Sequence, residues 1–196
     1  MTIGPAMFRE EARQAVEAGI ATALELGAST DIFGTGEMGI GNTAASSAIV
    51  ALYSGASLRE VTGRGTGIDD RQLSHKIVMI EKAIRVNQPD IADPLSVLAR
   101  VGGFEIGGIA GLILGAAYLR KPVLVDGFIS TAGAILAAHL APLCRDYMIA
   151  SHRSMEPGHR LALAHLVKQP LLDLDLRLGE GTGAALAMPL VAAAVR

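Results

Sequence analysis

Three stretches of this chain set glycines around an acid or ahead of a base, and each can present bare backbone N–H groups to an anionic ligand. Gly34-Thr-Gly-Glu-Met-Gly-Ile-Gly41 carries Glu37; Gly63-Arg-Gly-Thr-Gly67 precedes Asp69, Asp70 and Lys76; Gly179-Glu-Gly-Thr-Gly183 encloses Glu180. Gly34-x-Gly36-x-x-Gly39 also fits the dinucleotide fingerprint, which would mean NAD or FAD. Two details oppose that. Glu37 sits where a pyrophosphate must approach, and Glu60, the nearest acid at the spacing of a ribose contact, does not end a strand. No Gly-Lys-Ser/Thr ending follows, so a nucleoside-triphosphate loop is excluded. A single phosphate gripped by the N–H groups of Gly63, Gly65 and Gly67 fits better. The next helix would turn its positive end to the anion, and Lys76 could fold back as a counter-charge. A tight connection beside a solvated lysine fits the same pattern. Glu180, just ahead of a helix, would be held ionised and could act as a general base. An ordinary first-turn acid beside a capping Thr182 is the other reading. Ser151-His-Arg-Ser-Met-Glu-Pro-Gly-His159 is dense in polar groups. Its two histidines are seven apart, which is not a metal-pair spacing, and no Ser–His–acid triad assembles from sequence.

These loops need rigid elements to hold them. Apolar residues recur at helical spacing between Pro5 and Gly27, and Asp31–Phe33 reads as a strand entering the first glycine loop. Asn42 and Thr43 can cap a helix to about Tyr53, closed by Gly55, and Asp69 and Asp70 can cap one to about Val86. Further helices are expected over Asp93–Val101, Phe104–Leu119, Phe128–His139 and Leu161–Val167, with another after the third glycine loop. Pro122–Asp126 is the clearest buried strand and Tyr147–Ala150 a second; Leu171–Leu178 leads into the last loop. Short apolar strands alternating with helices give an α/β fold, a mainly parallel sheet flanked by helices (Rossmann-like). Residues 1–196 read as one domain, with ligands expected at the carboxyl ends of the strands.

Composition narrows the function classes. With 51% apolar residues, 18% charged and a formal net charge of −2, nothing draws the chain to nucleic acid or an anionic membrane. The apolar runs Ile106–Leu119 and Phe128–Cys144 read as buried helices rather than bilayer spans. Met1–Arg9 lacks a secretory layout, so a cytoplasmic location is expected. Cys144, the one cysteine, excludes an internal disulfide and any cysteine-rich metal site, and reads as a small buried thiol.

Six blocks, in order along the chain, resemble the nicotinate-nucleotide:dimethylbenzimidazole phosphoribosyltransferases. They are Gly36-Glu-Met-Gly-Ile-Gly-Asn-Thr43, Thr62-Gly-Arg-Gly-Thr-Gly-Ile-Asp69 with Lys76, Gly102-Gly-Phe-Glu-Ile-Gly-Gly108, Val125-Asp-Gly-Phe-Ile-Ser130, Ser151–His159 and Arg177-Leu-Gly-Glu-Gly-Thr-Gly-Ala184. The resemblance implies an enzyme that moves phosphoribose from nicotinate mononucleotide to 5,6-dimethylbenzimidazole, giving α-ribazole 5′-phosphate and nicotinate during cobalamin assembly. It implies Glu180 as the catalytic base. It also implies substrate contacts from Glu37, Met38, Gly39, Asn42, Gly65, Gly67, Lys76, Ser154, Leu178 and Gly179, a homodimer, and no cofactor or metal. The chemistry is consistent: nicotinate leaves as a neutral pyridine and needs no acid, whereas the benzimidazole must surrender its N–H proton to a base. Such help is typically worth ~10²–10⁴-fold, and alignment of the two substrates can supply much of the rest.

Family members carry additional N-terminal sequence, which implies that this chain is the C-terminal catalytic core, that part of the acceptor pocket lies outside it, and that apolar surface is exposed where that segment would pack. The last helix is assignable to the family's small domain. Ala44 is a lesser departure, standing where the family usually has a second Thr. Two functions follow as alternatives: the transferase itself, or a truncated non-catalytic module that binds nucleotide phosphate or dimerises. A NAD-dependent enzyme is a distant third.

Overall fold

The computed structural model describes residues 1–65 and 67–195. At its centre lies a sheet of three parallel strands in the order β1 (Phe33–Gly34), β2 (Val123–Asp126), β3 (Met148–His152). Phe33 pairs with Val123, and Val123 with Met148, so the strands run in step until an irregularity between Val125 and Asp126 brings Asp126 opposite His152. All of β2 is buried, as a parallel strand covered on both faces must be. Its side chains alternate: Val123 and Val125 join the main core, while Leu124 turns to the other face among Ile32, Ile149, Ala184 and Ala187.

Helices make up most of the rest. In chain order they are α1 (Arg9–Leu26), α2 (Thr43–Ser54), α3 (Leu58–Val61), α4 (Asp70–Asn87), α5 (Pro94–Val101), α6 (Phe104–Tyr118), α7 (Gly127–Leu140), α8 (Pro157–Leu166) and α9 (Thr182–Ala194). α9 covers the Leu124 face of the sheet. On the main-core side α7 packs against α6, and α6 against α1. That last contact depends on small residues. A Cβ at Gly111 would overlap the Val16 carbonyl, and one at Gly19 the Gly108 carbonyl. Backbone therefore meets backbone at Gly19 and Gly111.

Several expected bounds shift. α1 starts at Arg9, well after Pro5, and β1 is a two-residue strand at Phe33–Gly34 in place of Asp31–Phe33. α8 begins at Pro157, not Leu161, because proline suits the first helical position, where its missing N–H costs nothing. Tyr147 belongs to a 3-10 turn, Pro142–Tyr147, and β3 extends on to His152. The one-turn helix α3 was not foreseen; Ser57 and Glu60 close a capping box around it. Residues 171–178 form neither helix nor strand, turn left-handed at Asp175 (φ 52°) and touch the sheet through the bridge from Leu172 to His152. Burial pushes the Cys144 thiol up to about 11. Among the described residues no helix is long and apolar enough to cross a membrane.

Candidate active site

The polar loops gather where the three strands end. The first glycine loop leaves β1, Asp126 ends β2, and the Ser151–His159 segment spans the end of β3 and the start of α8. The third glycine loop folds onto the first. A Cβ on Gly36 would stand 2.7 Å from the Gly181 nitrogen and 2.9 Å from the Glu180 carbonyl carbon, so a side chain there would drive the loops apart. Gly179, Glu180 and Gly181 form a left-handed run with φ of 76°, 59° and 79°. Its glycines adopt that geometry freely; Glu180 does not. Glu180 is exposed at the crest of the run, directly before the first residue of the α9 cap, with Leu178 and Gly179 exposed beside it.

Glu37 turns inward on its own loop. Its carboxylate accepts the Gly39 N–H at 2.8 Å and the Asn42 side-chain amide. Asn42 holds the cap position of α2 as expected, but its side chain serves Glu37 and not the helix. Met38 and Ile40 stand in solvent, and Gly39 between them is exposed as well.

The second glycine loop lies against α4 and α8. Lys76 folds back to it, donating to the Gly63 carbonyl at 3.0 Å and to Thr43 Oγ1 at 2.8 Å. Half-burial lowers the pKa of this ammonium, partly opposed by the nearby Glu156 carboxylate. Lys76 is thus not the solvated surface lysine that the sequence also allowed. Glu156 Oε1 accepts the Gly65 N–H at 3.0 Å, while Oε2 is buried, close over Gly63, with no hydrogen-bond partner among the described residues. Ser154 completes the group, its Oγ accepting the Glu156 N–H at 3.2 Å. Gly67 stands apart, with φ of 108° and its N–H given to the Arg64 carbonyl at 3.3 Å. Thr66 lies outside the described residues. The structure therefore draws Gly65, Lys76 and Ser154 into one cluster and leaves Gly67 on its rim.

Beneath the loops are buried polar residues to which sequence reading gave no role. His159 accepts the Ser154 N–H on Nδ1 at 2.8 Å, so Nε2 carries the proton toward Thr131 Oγ1 at 2.9 Å, and Thr131 donates on to the Gly127 carbonyl at 2.6 Å. Burial lowers the His159 pKa to about 3, which keeps the ring neutral. Asp126 accepts Ser151 Oγ at 3.0 Å and the Gly183 N–H at 2.9 Å. The one available signal was an ionisable residue closing a wholly apolar strand, Val123-Leu-Val-Asp126. Among the described residues no three His, Cys, Asp or Glu side chains converge as a metal site would require.

A family model described as phosphoribosyltransferase matches residues 1–196. The chain belongs to this phosphoribosyltransferase family. Similar curated relatives include the nicotinate-nucleotide–dimethylbenzimidazole phosphoribosyltransferase of Syntrophotalea carbinolica, 63% identical over 196 residues, covering all of this chain and 56% of the relative. The protein of the same name from Geotalea uraniireducens is 59% identical over 194 residues, covering 98% of this chain and 55% of its own. The solved structure of CobT from Thermus thermophilus superposes over the whole chain with a TM-score of 0.95 at 46% identity, which uses 59% of that chain. The chain thus spans a little over half the length of the relatives it matches.

Proposed function

We propose that this chain carries the base and the phosphate cluster of a transferase that moves phosphoribose from nicotinate mononucleotide to 5,6-dimethylbenzimidazole. The observation that supports it most is the join between the glycine loops: Glu180, on a left-handed run, is packed by its backbone against Gly36 of the loop that bears Glu37. The half-buried ammonium of Lys76 lies on the other glycine loop, beside Gly65 and Ser154, where a 5′-phosphate would be received. In the proposed reaction one benzimidazole nitrogen attacks C1′ from the face opposite nicotinate. The C1′–N bond to nicotinate breaks, its electron pair neutralises the pyridinium, and the proton on the other benzimidazole nitrogen passes to Glu180. Inversion gives the α-nucleotide. Exposed Met38 and Ile40 on the first glycine loop, and Leu178 just before the third, suit the flat apolar face of such an acceptor. A homodimer is part of the same proposal.

The alternative, a module that binds nucleotide phosphate without turnover, draws on the 56% coverage of the first relative, since part of the acceptor pocket would lie in the remainder. One experiment decides. The 196-residue chain is given nicotinate mononucleotide and dimethylbenzimidazole, α-ribazole 5′-phosphate is followed by chromatography, and mononucleotide binding is measured in parallel by calorimetry. Product that disappears in Glu180→Gln supports the transferase. Binding without product supports the module, and neither binding nor product sinks both.

A further inference from the structure

Asp126 ends β2 with only 8% of its surface exposed, and the proposed reaction gives it no part. Its surroundings show one. The N-cap of α9 is Gly181, which has no side chain with which to cap, and the first bond of the helix runs from Ala185 N–H to the Gly181 carbonyl at 2.9 Å. The N–H groups of Gly183 and Ala184 therefore have no partner inside the helix, and an N-cap Ser or Asp would ordinarily serve them. Asp126 does so from a neighbouring strand. Its Oδ2 accepts the Gly183 N–H at 2.9 Å, and Ser151 Oγ donates to Oδ1 at 3.0 Å. The Asp126 N–H donates in turn to Thr35 Oγ1 at 3.0 Å, which ties the carboxylate to the root of the first glycine loop. Desolvation raises the carboxyl pKa, while Ser151, the Gly183 and Ala184 N–H groups and His152 favour its ionised form.

The approach to the loop is tied down at the same place. His152, opposite Asp126 in the sheet register, accepts the Leu174 N–H at 3.3 Å and the Leu176 N–H at 3.4 Å on Nε2. The strained run 179–181 is thus strung between two buried anchors. Gly183 has no room for a side chain, since a Cβ there would overlap Asp126 Oδ1 and lie 2.6 Å from His152 Cβ.

We infer that Asp126 is the positioning residue for Glu180: as a cap supplied from β2 it pins the start of α9, and with it the left-handed run that aims the carboxylate. This rests on the reading of Glu180 as the base, so the test carries a readout independent of turnover. Amide exchange in the 196-residue chain is followed by NMR at Gly183 and Ala184, with Ile135 and Leu136 of α7 as references. Asp126→Asn is expected to speed exchange at the first pair by about tenfold and to leave the second pair unchanged. In the same variant kcat is expected to fall by roughly tenfold or more, with KM for nicotinate mononucleotide within about twofold, because the base is misaimed while the phosphate cluster is untouched. Should Asp126→Asn fail to fold, Gly183→Ala attacks the same contact from the other side and is expected to give the same selective pattern. Unchanged exchange at Gly183 and Ala184, or an equal rise at Ile135 and Leu136, overturns the assignment. A wild-type chain without turnover would count against the transferase reading alone, and the exchange result would still decide the anchoring.

Discussion

Glu180 holds a left-handed backbone that costs a residue with a Cβ about 1–2 kcal/mol, and the fold maintains it between two glycines that carry no such cost. Gln88, Arg120, Val167 and Asp175 share the positive φ, but among the described residues only Glu180 holds it between two left-handed glycines. Glu180→Gly should therefore melt no lower than the parent, the relieved strain offsetting the extra chain entropy of glycine. Both Glu180→Gly and Glu180→Gln should lose ~10²–10⁴ in kcat. Calorimetric melting and steady-state kinetics on the two variants check this, and a Glu180→Gly chain that melts well below Glu180→Gln would remove the strain argument. Lys76 makes a separate prediction. It is half-buried, its two hydrogen bonds go to uncharged oxygens, and the nearby Glu156 carboxylate offsets its desolvation only in part. A charge-assisted bond to a phosphate is worth ~1.5–3 kcal/mol. Lys76→Met should weaken nicotinate mononucleotide binding by about 10–100-fold while leaving nicotinate riboside, which has no phosphate, nearly unaffected. Equal losses for both ligands in calorimetry would contradict the phosphate cluster.

Among the elements, the α1–α6 contact offers two glycines on one helix with opposite expectations. A Cβ at Gly111 would overlap the Val16 carbonyl, whereas at Gly108 the nearest atom is the Ala15 carbonyl oxygen at 3.9 Å. Gly111→Ala should cost ~1–3 kcal/mol through overpacking against backbone that cannot yield. Gly108→Ala should be neutral, or stabilise by up to ~1 kcal/mol through helix propensity. Urea unfolding of both variants tests the pair, and similar midpoints would show that the close approach is not what limits the contact. The same contact shows what was legible in the sequence and what was not. Every helix but α3, the strand Val123–Asp126 and the order of the glycine loops follow from periodicity, capping residues and glycine spacing, all local signals. Which glycines face a backbone is a property of the crossing, and Phe104–Leu119 alone does not distinguish Gly108 from Gly111. Glu37, Lys76 and Glu180 drew notice because they border glycine loops. Glu156 stood out only as one of several polar residues in Ser151–His159, for its bond to Gly65 spans 91 positions. Asp126 likewise grips Gly183 from 57 positions away. Partners that distant are joined only when the strands align.

For the molecule as a whole, acid should act first through imidazoles with lowered pKa values, of which His159 is buried, His165 partly buried and His139 exposed. His159 has a pKa lowered to about 3 by burial, and His139 and His165, stacked in series with Tyr53, have theirs lowered as well, first by burial and then by neighbouring positive charge. For a base whose folded pKa is depressed, the stabilisation is complete above the unfolded value near 6.5 and is lost as pH falls below it, because the unfolded chain then binds protons that the folded one refuses. From His159 alone the loss is ~1.4 kcal/mol for each pH unit between about 6.5 and 3, so roughly 3 kcal/mol by pH 4.5, against the ~5–15 kcal/mol of an ordinary domain. Asp126 opposes the trend, since a carboxyl with a raised pKa takes up its proton more readily in the folded state as the medium turns acid. Asp93, whose desolvation is outweighed by its bonds to Arg9 and nearby N–H groups so that its pKa is lowered, adds its own loss only at still lower pH. Urea midpoints at pH 7.5, 6.0, 5.0 and 4.5 should therefore fall steadily, most of the decline coming before the carboxylates titrate. His159→Gln can accept the Ser154 N–H and donate to Thr131 as the imidazole does, yet it cannot be protonated. That variant should begin below the parent at pH 7.5 and lose clearly less between pH 6.5 and 4.5; parallel curves for the two proteins would acquit His159 and leave the acid sensitivity to the His139–His165 pair.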